Sequence, residues 1–98
     1  MILLAQKKTV YKVSIDRRIE KDLEDVPNHI VKKFIQSLDE FEKNPIRNRP
    51  GFDVKHLKGF PGNLYRLRVG DYRVLYSIDK EKKEVKITMI VHRKKAYN

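Results

Sequence analysis

The sequence contains no cysteine, and this absence excludes two classes of protein at once. A chain without thiols is not a disulfide-stapled secreted scaffold, and it has no thiolate metal site. Long apolar runs are also missing, since the apolar start at residues 1–5 is too short for a signal-peptide core or a membrane span. We therefore expect a protein of the reducing cytoplasm that does not enter the membrane.

Acidic residues are scarce as well. The chain has 13 Asp and Glu against 23 Lys and Arg, which gives a net charge of +10 on 98 residues. Such a positive field favours polyanionic partners: nucleic acid, acidic protein segments or an anionic membrane surface. The carboxylates show neither a paired arrangement for hydrolysis nor a metal-ligand cluster, so no metal and no other cofactor is expected. The length suits one domain over residues 1–98.

The N-terminal half carries one strand pattern and two helix patterns. Residues 9–15 alternate apolar and polar side chains, which predicts a half-buried strand. Asp16 suits the cap of a short helix over 17–24. Pro27 fits the start of a second helix, which the Asn-Pro pair at 44–45 ends. The apolar stripe of this second helix consists of Ile30, Phe34, Leu38 and Phe41, widened by Val31 and Ile35.

Four strand patterns follow, at residues 54–57, 64–69, 72–78 and 85–91. Gly70 and Asp71 form a two-residue link of the kind that closes tight hairpins. The order of strand, two helices and a run of antiparallel strands predicts an α+β fold, with one twisted sheet and a helical hairpin on one face. The other face is left open, so it has to show polar residues or meet a partner.

Basic side chains concentrate on these strands. Arg66 and Arg68 share the face of residues 64–69 that lies opposite its apolar side chains. Further cations come from neighbouring strands and turns, namely Lys55, Lys58, Arg73, His92, Arg93 and Lys94. Arginine holds phosphate through two parallel hydrogen bonds. Aromatic side chains that would stack on bases lie close by in sequence, namely Tyr65, Tyr72 and Tyr97. We interpret this set as a functional surface that suits the phosphates and unstacked bases of a nucleic acid.

Three stretches of the C-terminal half of the chain form an ordered set of short motifs. They read K-H-L-K-G-F-P at 55–61, L-Y-R-L-R-V-G-D-Y-R-V-L-Y at 64–76 and V-H-R-K-K-A-Y at 91–97. An L-x-G turn, an Arg-bearing strand, a Y-R-x-x-Y strand and a closing H-R-x-x-x-Y thus follow one another. In this order the set resembles the RelE/ParE family of bacterial and archaeal toxins, whose architecture the helical half also matches.

This resemblance implies an activity. RelE-like toxins resemble compact microbial ribonucleases in fold, and they cut mRNA in the ribosomal A site until an antitoxin encoded beside them silences them. By resemblance, Arg73 steadies the scissile phosphate, and Arg93 stabilises the phosphate or the leaving group. Tyr97 corresponds to the tyrosine proposed for acid–base work or base stacking. The remaining basic residues are expected to bind substrate: Lys55, Lys58, Arg66, Arg68, His92 and Lys94.

RNA cleavage without a metal uses the neighbouring 2′-hydroxyl as the nucleophile. It needs a base, positive charge for the phosphorane oxygens and an acid for the leaving 5′-oxygen. Arg73 and Arg66 suit the charge. Tyr97 suits the base, because surrounding cations favour its phenolate, with Arg93 as its orienting neighbour. His92 is the alternative, since histidine ordinarily serves acid–base chemistry near neutral pH.

A second reading of the same motifs is a ParE-like toxin that inhibits DNA gyrase and cuts nothing. RelE-like and ParE-like toxins share a fold, so the fold does not separate them, although the Arg93 and Tyr97 terminus favours the nuclease. A relative that only binds an antitoxin is a third reading. In every case we expect a cognate acidic, RelB-like antitoxin, because the +10 charge, the open face and the strand edges suit an acidic segment that folds on binding.

Overall fold

The computed structural model describes residues 10–59 and 63–95. Its elements in chain order are β1 (Lys12–Ile15), α1 (Arg18–Leu23), α2 (Asn28–Lys43), β2 (Asp53–His56), β3 (Leu64–Val69), β4 (Tyr72–Asp79) and β5 (Glu84–His92). The predicted α+β fold is confirmed. The bounds of β3 match the prediction, and the other elements begin or end within a few residues of it.

The five strands form one sheet in the order β1-β5-β4-β3-β2. The four later strands pair antiparallel in sequence order. β1 joins the edge of β5 in parallel, with Val13 opposite Val85. The chain between these two strands contains both helices and the strands β2, β3 and β4, which is ample length for a parallel pair. The register between β4 and β5 shifts at Leu75 and Tyr76, a β-bulge of the kind that bends and twists a strand.

Helix α2 lays one face on the sheet. Ile30, Phe34 and Phe41 are buried, as the helical spacing predicts. Ser37 is buried as well, and the predicted Leu38 is partly buried against the core. Pro27 precedes the helix as its N-cap, and Asn44 ends it in an extended conformation. The expectation that Ile35 widens the buried stripe is wrong, since Ile35 is 56% exposed.

The core lies between the helices and one face of the sheet. Phe41 makes edge-to-face contacts with Phe52 and Tyr76, at ring-centroid distances of 5.1 and 4.7 Å. The Tyr76 hydroxyl donates a hydrogen bond of 2.7 Å to the carbonyl of Pro45. Burial raises the pKa of Tyr76, so this hydroxyl stays protonated and continues to donate. The contact ties the loop after α2 to the centre of β4.

The alternation of side chains divides the sheet into two faces. One face packs under the helices through buried apolar residues of β3, β4 and β5, such as Leu67, Val74 and Ile87. We call the other the open sheet face; the register puts Lys55, Arg66, Arg68 and Arg73 on it. Within residues 10–59 and 63–95, no helix is long and apolar enough to cross a membrane.

Candidate nucleic-acid interface

Three neighbouring strands bring basic residues together on the open sheet face. Arg68 on β3 lies directly opposite Arg73 on β4. Two positions along β3, Arg66 lies opposite Lys55 of the edge strand β2. Residues opposite one another in an antiparallel pair point to the same side. The structure therefore places these four cations on one face, over the span of three strands.

Arg73 is held at the end of this face by the β3–β4 turn. Its side chain donates through Nη1 to the carbonyls of Gly70 at 3.2 Å and Tyr72 at 3.0 Å. The residue is only 8% exposed, and burying a permanent charge is costly unless such acceptors surround it. The turn thus fixes the position of the guanidinium before any ligand arrives.

Arg93 lies next to the same turn. Its backbone N–H donates to the carbonyl of Asp71 at 2.8 Å, and its Nε lies 3.9 Å from Oδ1 of Asp71. Val91, two residues earlier, is the cross-strand partner of Arg73. The segment after β5 is thereby tied to the Arg73 end of the open sheet face, while the Arg93 side chain stays half exposed.

A carboxylate that the sequence pattern did not single out lies inside this basic group. Asp53 of β2 accepts two hydrogen bonds from Nη1 of Arg66, at 3.0 Å to its carbonyl and 3.2 Å to Oδ1. Its Oδ2 lies 3.6 Å from Nη1 of Arg68. The signal for Asp53 is its alternation with Lys55 on β2, but its placement beside Arg68 needs the β2–β3 register, which a single sequence does not reveal.

His92 is not brought together with these arginines. It lies opposite Tyr72 on β4, and the two rings meet edge to face at 5.3 Å. Both line a pocket of about 340 Å³ beside the start of α2, together with His29 and Lys33. His92 therefore lies on the helix-covered face, away from Arg73.

The aromatic residues expected beside the cations are also elsewhere. Tyr65 is buried on the helix-covered face, where its ring stacks on that of Tyr76 at 5.7 Å. Tyr72 faces His92 on the same side. The expectation that Tyr65 and Tyr72 stack on bases is therefore wrong, because strand alternation turns them away from the arginines. Tyr97 lies outside the described residues.

The three remaining predicted lysines differ in position relative to the open sheet face. Lys55 lies on β2 within it, whereas Lys58 follows β2 in a turn and Lys94 follows β5 in another, both exposed. In the described part of the chain, no group of three or more histidine or carboxylate side chains is arranged to hold a metal ion.

The open sheet face thus combines fixed positive charge with a small apolar area. Leu75 lies opposite Arg66 on β4, and Met89 lies opposite Leu75 on β5. Met89 is exposed. Phosphates fit the guanidinium groups through paired hydrogen bonds, and apolar side chains beside them offer a surface for base faces. The arrangement suits a flexible single strand of nucleic acid, whose backbone follows the arginines.

Known proteins resemble this chain in sequence. A family model described as the ParE toxin of the type II toxin–antitoxin system parDE matches residues 13–97. The putative toxin RelE1 of Methanocaldococcus jannaschii is 37% identical over 87 residues, which cover 89% of this chain and 94% of that protein.

Solved structures show the same likeness. The archaeal RelE–RelB complex from Pyrococcus horikoshii has a chain that superposes with a TM-score of 0.74 at 36% identity, covering 89% of this chain and 99% of that one. The RelB–RelE antitoxin–toxin complex from Methanococcus jannaschii gives a TM-score of 0.69 at 28% identity, with 86% and 94% covered.

Proposed function

This chain belongs to the RelE/ParE family of type II toxins, and from that premise we propose that it is a ribosome-dependent endoribonuclease that cuts mRNA and so inhibits translation. The observation that carries the proposal is the cross-strand pair of Arg68 and Arg73 on the open sheet face, with Arg93 tied beside it through Asp71. Two like charges directly opposite one another destabilise a sheet unless an anion compensates them, so this pair supports a role in binding an anion.

The chemistry proposed for this site is an attack of the 2′-oxygen on the neighbouring phosphorus. A bond from the 2′-oxygen to phosphorus forms and the bond from phosphorus to the 5′-oxygen breaks, while one proton leaves the 2′-hydroxyl and another reaches the 5′-oxygen. Arg73, already oriented by the turn carbonyls, stabilises the charge on the phosphorane oxygens. Arg68, whose side chain is far more exposed than that of Arg66, holds the adjoining backbone, and Arg93 holds the leaving group. The position of His92 beneath the helices favours Tyr97 as the base.

We propose a RelB-like antitoxin as the protein partner. The relatives from Pyrococcus and Methanococcus are each complexes of RelE with RelB. The net charge of +10 and the basic open face favour an acidic segment that orders as it binds. Because mRNA on the ribosome is the proposed substrate, the cytoplasm is the proposed site of action.

Primer extension on mRNA from a translating extract tests the nuclease directly. We expect cuts with the wild-type protein and a loss of about 100-fold or more in cleavage rate with Arg73→Ala, because a preoriented charge at the phosphorane is removed. Arg17→Ala, which removes an exposed arginine at the start of α1, serves as the matched control and should cleave like the wild type.

Folding has to be separated from chemistry in this test, because the Arg73 side chain also supports the β3–β4 turn. Circular dichroism at the assay temperature should show Arg73→Ala folded. Cleavage by folded Arg73→Ala at the wild-type rate would contradict the proposed role.

A second function is a ParE-like toxin that inhibits DNA gyrase, and the description of the matching family model favours it. A supercoiling assay with purified gyrase separates the two. Inhibition that survives both Arg73→Ala and Arg93→Ala, with no mRNA cleavage by the wild type, would favour the ParE-like function over the nuclease.

A further inference from the structure

The row of residues that crosses β2, β3 and β4 has an unusual charge order. Asp53 lies opposite Arg68, and Arg68 lies opposite Arg73, so a carboxylate and two guanidinium groups follow one another on the open sheet face. The carboxylate of Asp53 offsets the repulsion between the two arginines from the β2 side. Asp53 therefore supplies counter-charge to β3, whereas Arg73 is held by carbonyls of the turn.

The two arginines that contact Asp53 are held with different strength. Arg66 bonds both the carbonyl and Oδ1 of Asp53, at 3.0 and 3.2 Å, and its side chain is 14% exposed. Arg68 approaches only the carboxylate, at 3.6 Å, and its side chain is 52% exposed. A backbone carbonyl retains Arg66 even when the carboxylate moves away, whereas an exposed ion pair at the longer distance is weak. Arg68 is thus the exchangeable partner.

We propose that Asp53 is a specificity-determining residue of the open sheet face, whose carboxylate holds Arg68 in the unbound protein and is displaced from it by an RNA phosphate. This inference rests on the proposed function and extends it to a residue that itself repels RNA. A phosphate competes well for Arg68 because it can accept two parallel hydrogen bonds from the guanidinium group.

The repulsive element has a physical purpose in a protein of this charge. A chain with a net charge of +10 attracts any polyanion, and specificity often requires a group that penalises the wrong partner. With Asp53 in place, a phosphate has to sit close enough to Arg68 to replace the carboxylate. A nucleic acid that does not displace the carboxylate from Arg68 is repelled by its negative charge and gains little binding free energy.

The test compares two substitutions that change the net charge equally. Asp53→Asn removes the carboxylate charge and keeps an oxygen for Arg66, while Asp39→Asn removes an exposed carboxylate of α2, on the helical layer. Binding of a single-stranded RNA with 2′-O-methyl groups, which block cleavage, is measured by fluorescence anisotropy. We expect Asp53→Asn to bind about 3- to 10-fold more tightly at ~50 mM salt, and Asp39→Asn less than about twofold. The gain should shrink as salt screens the charges.

Equal affinities for the two variants, or weaker binding by Asp53→Asn, would overturn the inference. The failure of the proposed function looks different, since the wild-type protein would then leave mRNA uncut in the primer-extension assay. If Arg68→Ala weakens RNA binding while Asp53→Asn and Asp39→Asn bind RNA with equal affinity, the role of Asp53 is rejected and that of Arg68 stands.

A measurement on the wild-type protein avoids the question of whether Asp53→Asn folds. Phenylglyoxal modifies accessible arginines, and peptide mapping reports each one. We expect Arg68 to react without RNA and to be protected by the 2′-O-methyl RNA, while the tethered Arg66 reacts little in either state. Protection of Arg66 with no change at Arg68 would contradict the exchange.

Discussion

Arg49 shows at the scale of one residue that a basic side chain in this protein also serves structure. Residues 46–52 belong to the loop between α2 and β2. Its Arg49 donates to the carbonyls of Glu40 and Asn44 at the end of α2, at 3.2 and 2.9 Å, and to Oε1 of Glu40 at 2.9 Å. The guanidinium also lies 4.4 Å from the ring centroid of Phe52. It thus occupies the negative end of the helix dipole and closes the core.

Arg49→Ala should therefore lower the free energy of unfolding at pH 7 by about 2–4 kcal/mol, because several carbonyls at the helix end lose their donor. Arg47→Ala, two residues earlier and exposed, should stay within about 0.5 kcal/mol. Urea unfolding measures both. A similar loss in the two variants would contradict the assigned role of Arg49.

The same pair predicts a pH dependence. The hydrogen bond from Arg49 lowers the pKa of Glu40 below its ordinary 4.5, so the stability from this ion pair is present above that pH and lost as pH falls through the lowered pKa. The stability difference between wild type and Arg49→Ala should narrow below pH 4.5. A difference that widened there would contradict the sign.

Residue-scale prediction from the sequence succeeds within a strand and fails between strands. The period of two in β3 put Arg66 and Arg68 on the face opposite Leu67, as the structure has them. The same rule within β4 turns Tyr72 away from Arg73, whereas the side on which His92 lies also depends on the β4–β5 register. The contact of Asp53 with Arg68 needs a register too, so neither was predicted.

The β3–β4 hairpin shows how an element is positioned against the helices. Gly70 in its turn has φ +58°, a conformation that L side chains rarely adopt. A Cβ at this position would lie 2.8 Å from Cδ1 of Ile30 on α2. The turn that orients Arg73 therefore packs closely on the start of α2.

Gly70→Ala should destabilise the protein by about 1–3 kcal/mol, since the terminal methyl of the buried Ile30 side chain has to shift in addition to the backbone strain. Gly51→Ala is the matched control, because Gly51 has φ +83° and nothing within 4 Å of an added Cβ. It should cost about 1–2 kcal/mol. Thermal or urea unfolding measures both, and Ile30→Val, which removes Cδ1, should reduce the cost of Gly70→Ala. Equal losses at the two glycines would show that the contact with Ile30 is unimportant.

At the element scale, the long amphipathic pattern of α2 was the firmest signal, because sixteen residues repeat one spacing. No local sequence pattern predicts that β1 pairs in parallel with β5. This pairing depends on how the helical hairpin returns the chain to the sheet, and only the assembled fold decides that. The outward position of Ile35 has the same origin, since the width of the buried stripe depends on how α1 and the sheet meet α2.

At the scale of the whole molecule, long-range attraction of RNA is combined with the binding of phosphates on one surface. A net charge of +10 draws RNA from a distance in low salt, and it was evident from composition. The binding of phosphates depends on which cations share a surface. That the open sheet face carries Arg66, Arg68 and Arg73 follows from its antiparallel register, whereas His92 lies on another side. Removing an arginine from the open sheet face should therefore weaken RNA binding more than removing an arginine elsewhere.

The salt dependence of RNA binding tests this claim most directly. The slope of log affinity against log salt reports the number of phosphates neutralised, at about 0.7 per contact for a single strand. With the 2′-O-methyl RNA, Arg68→Ala and Arg73→Ala should each reduce the magnitude of this slope by about 0.7, and Arg17→Ala should leave it unchanged. Slopes for Arg68→Ala and Arg73→Ala that equal the wild-type slope, or a reduction as large in Arg17→Ala, would contradict phosphate binding on the open sheet face.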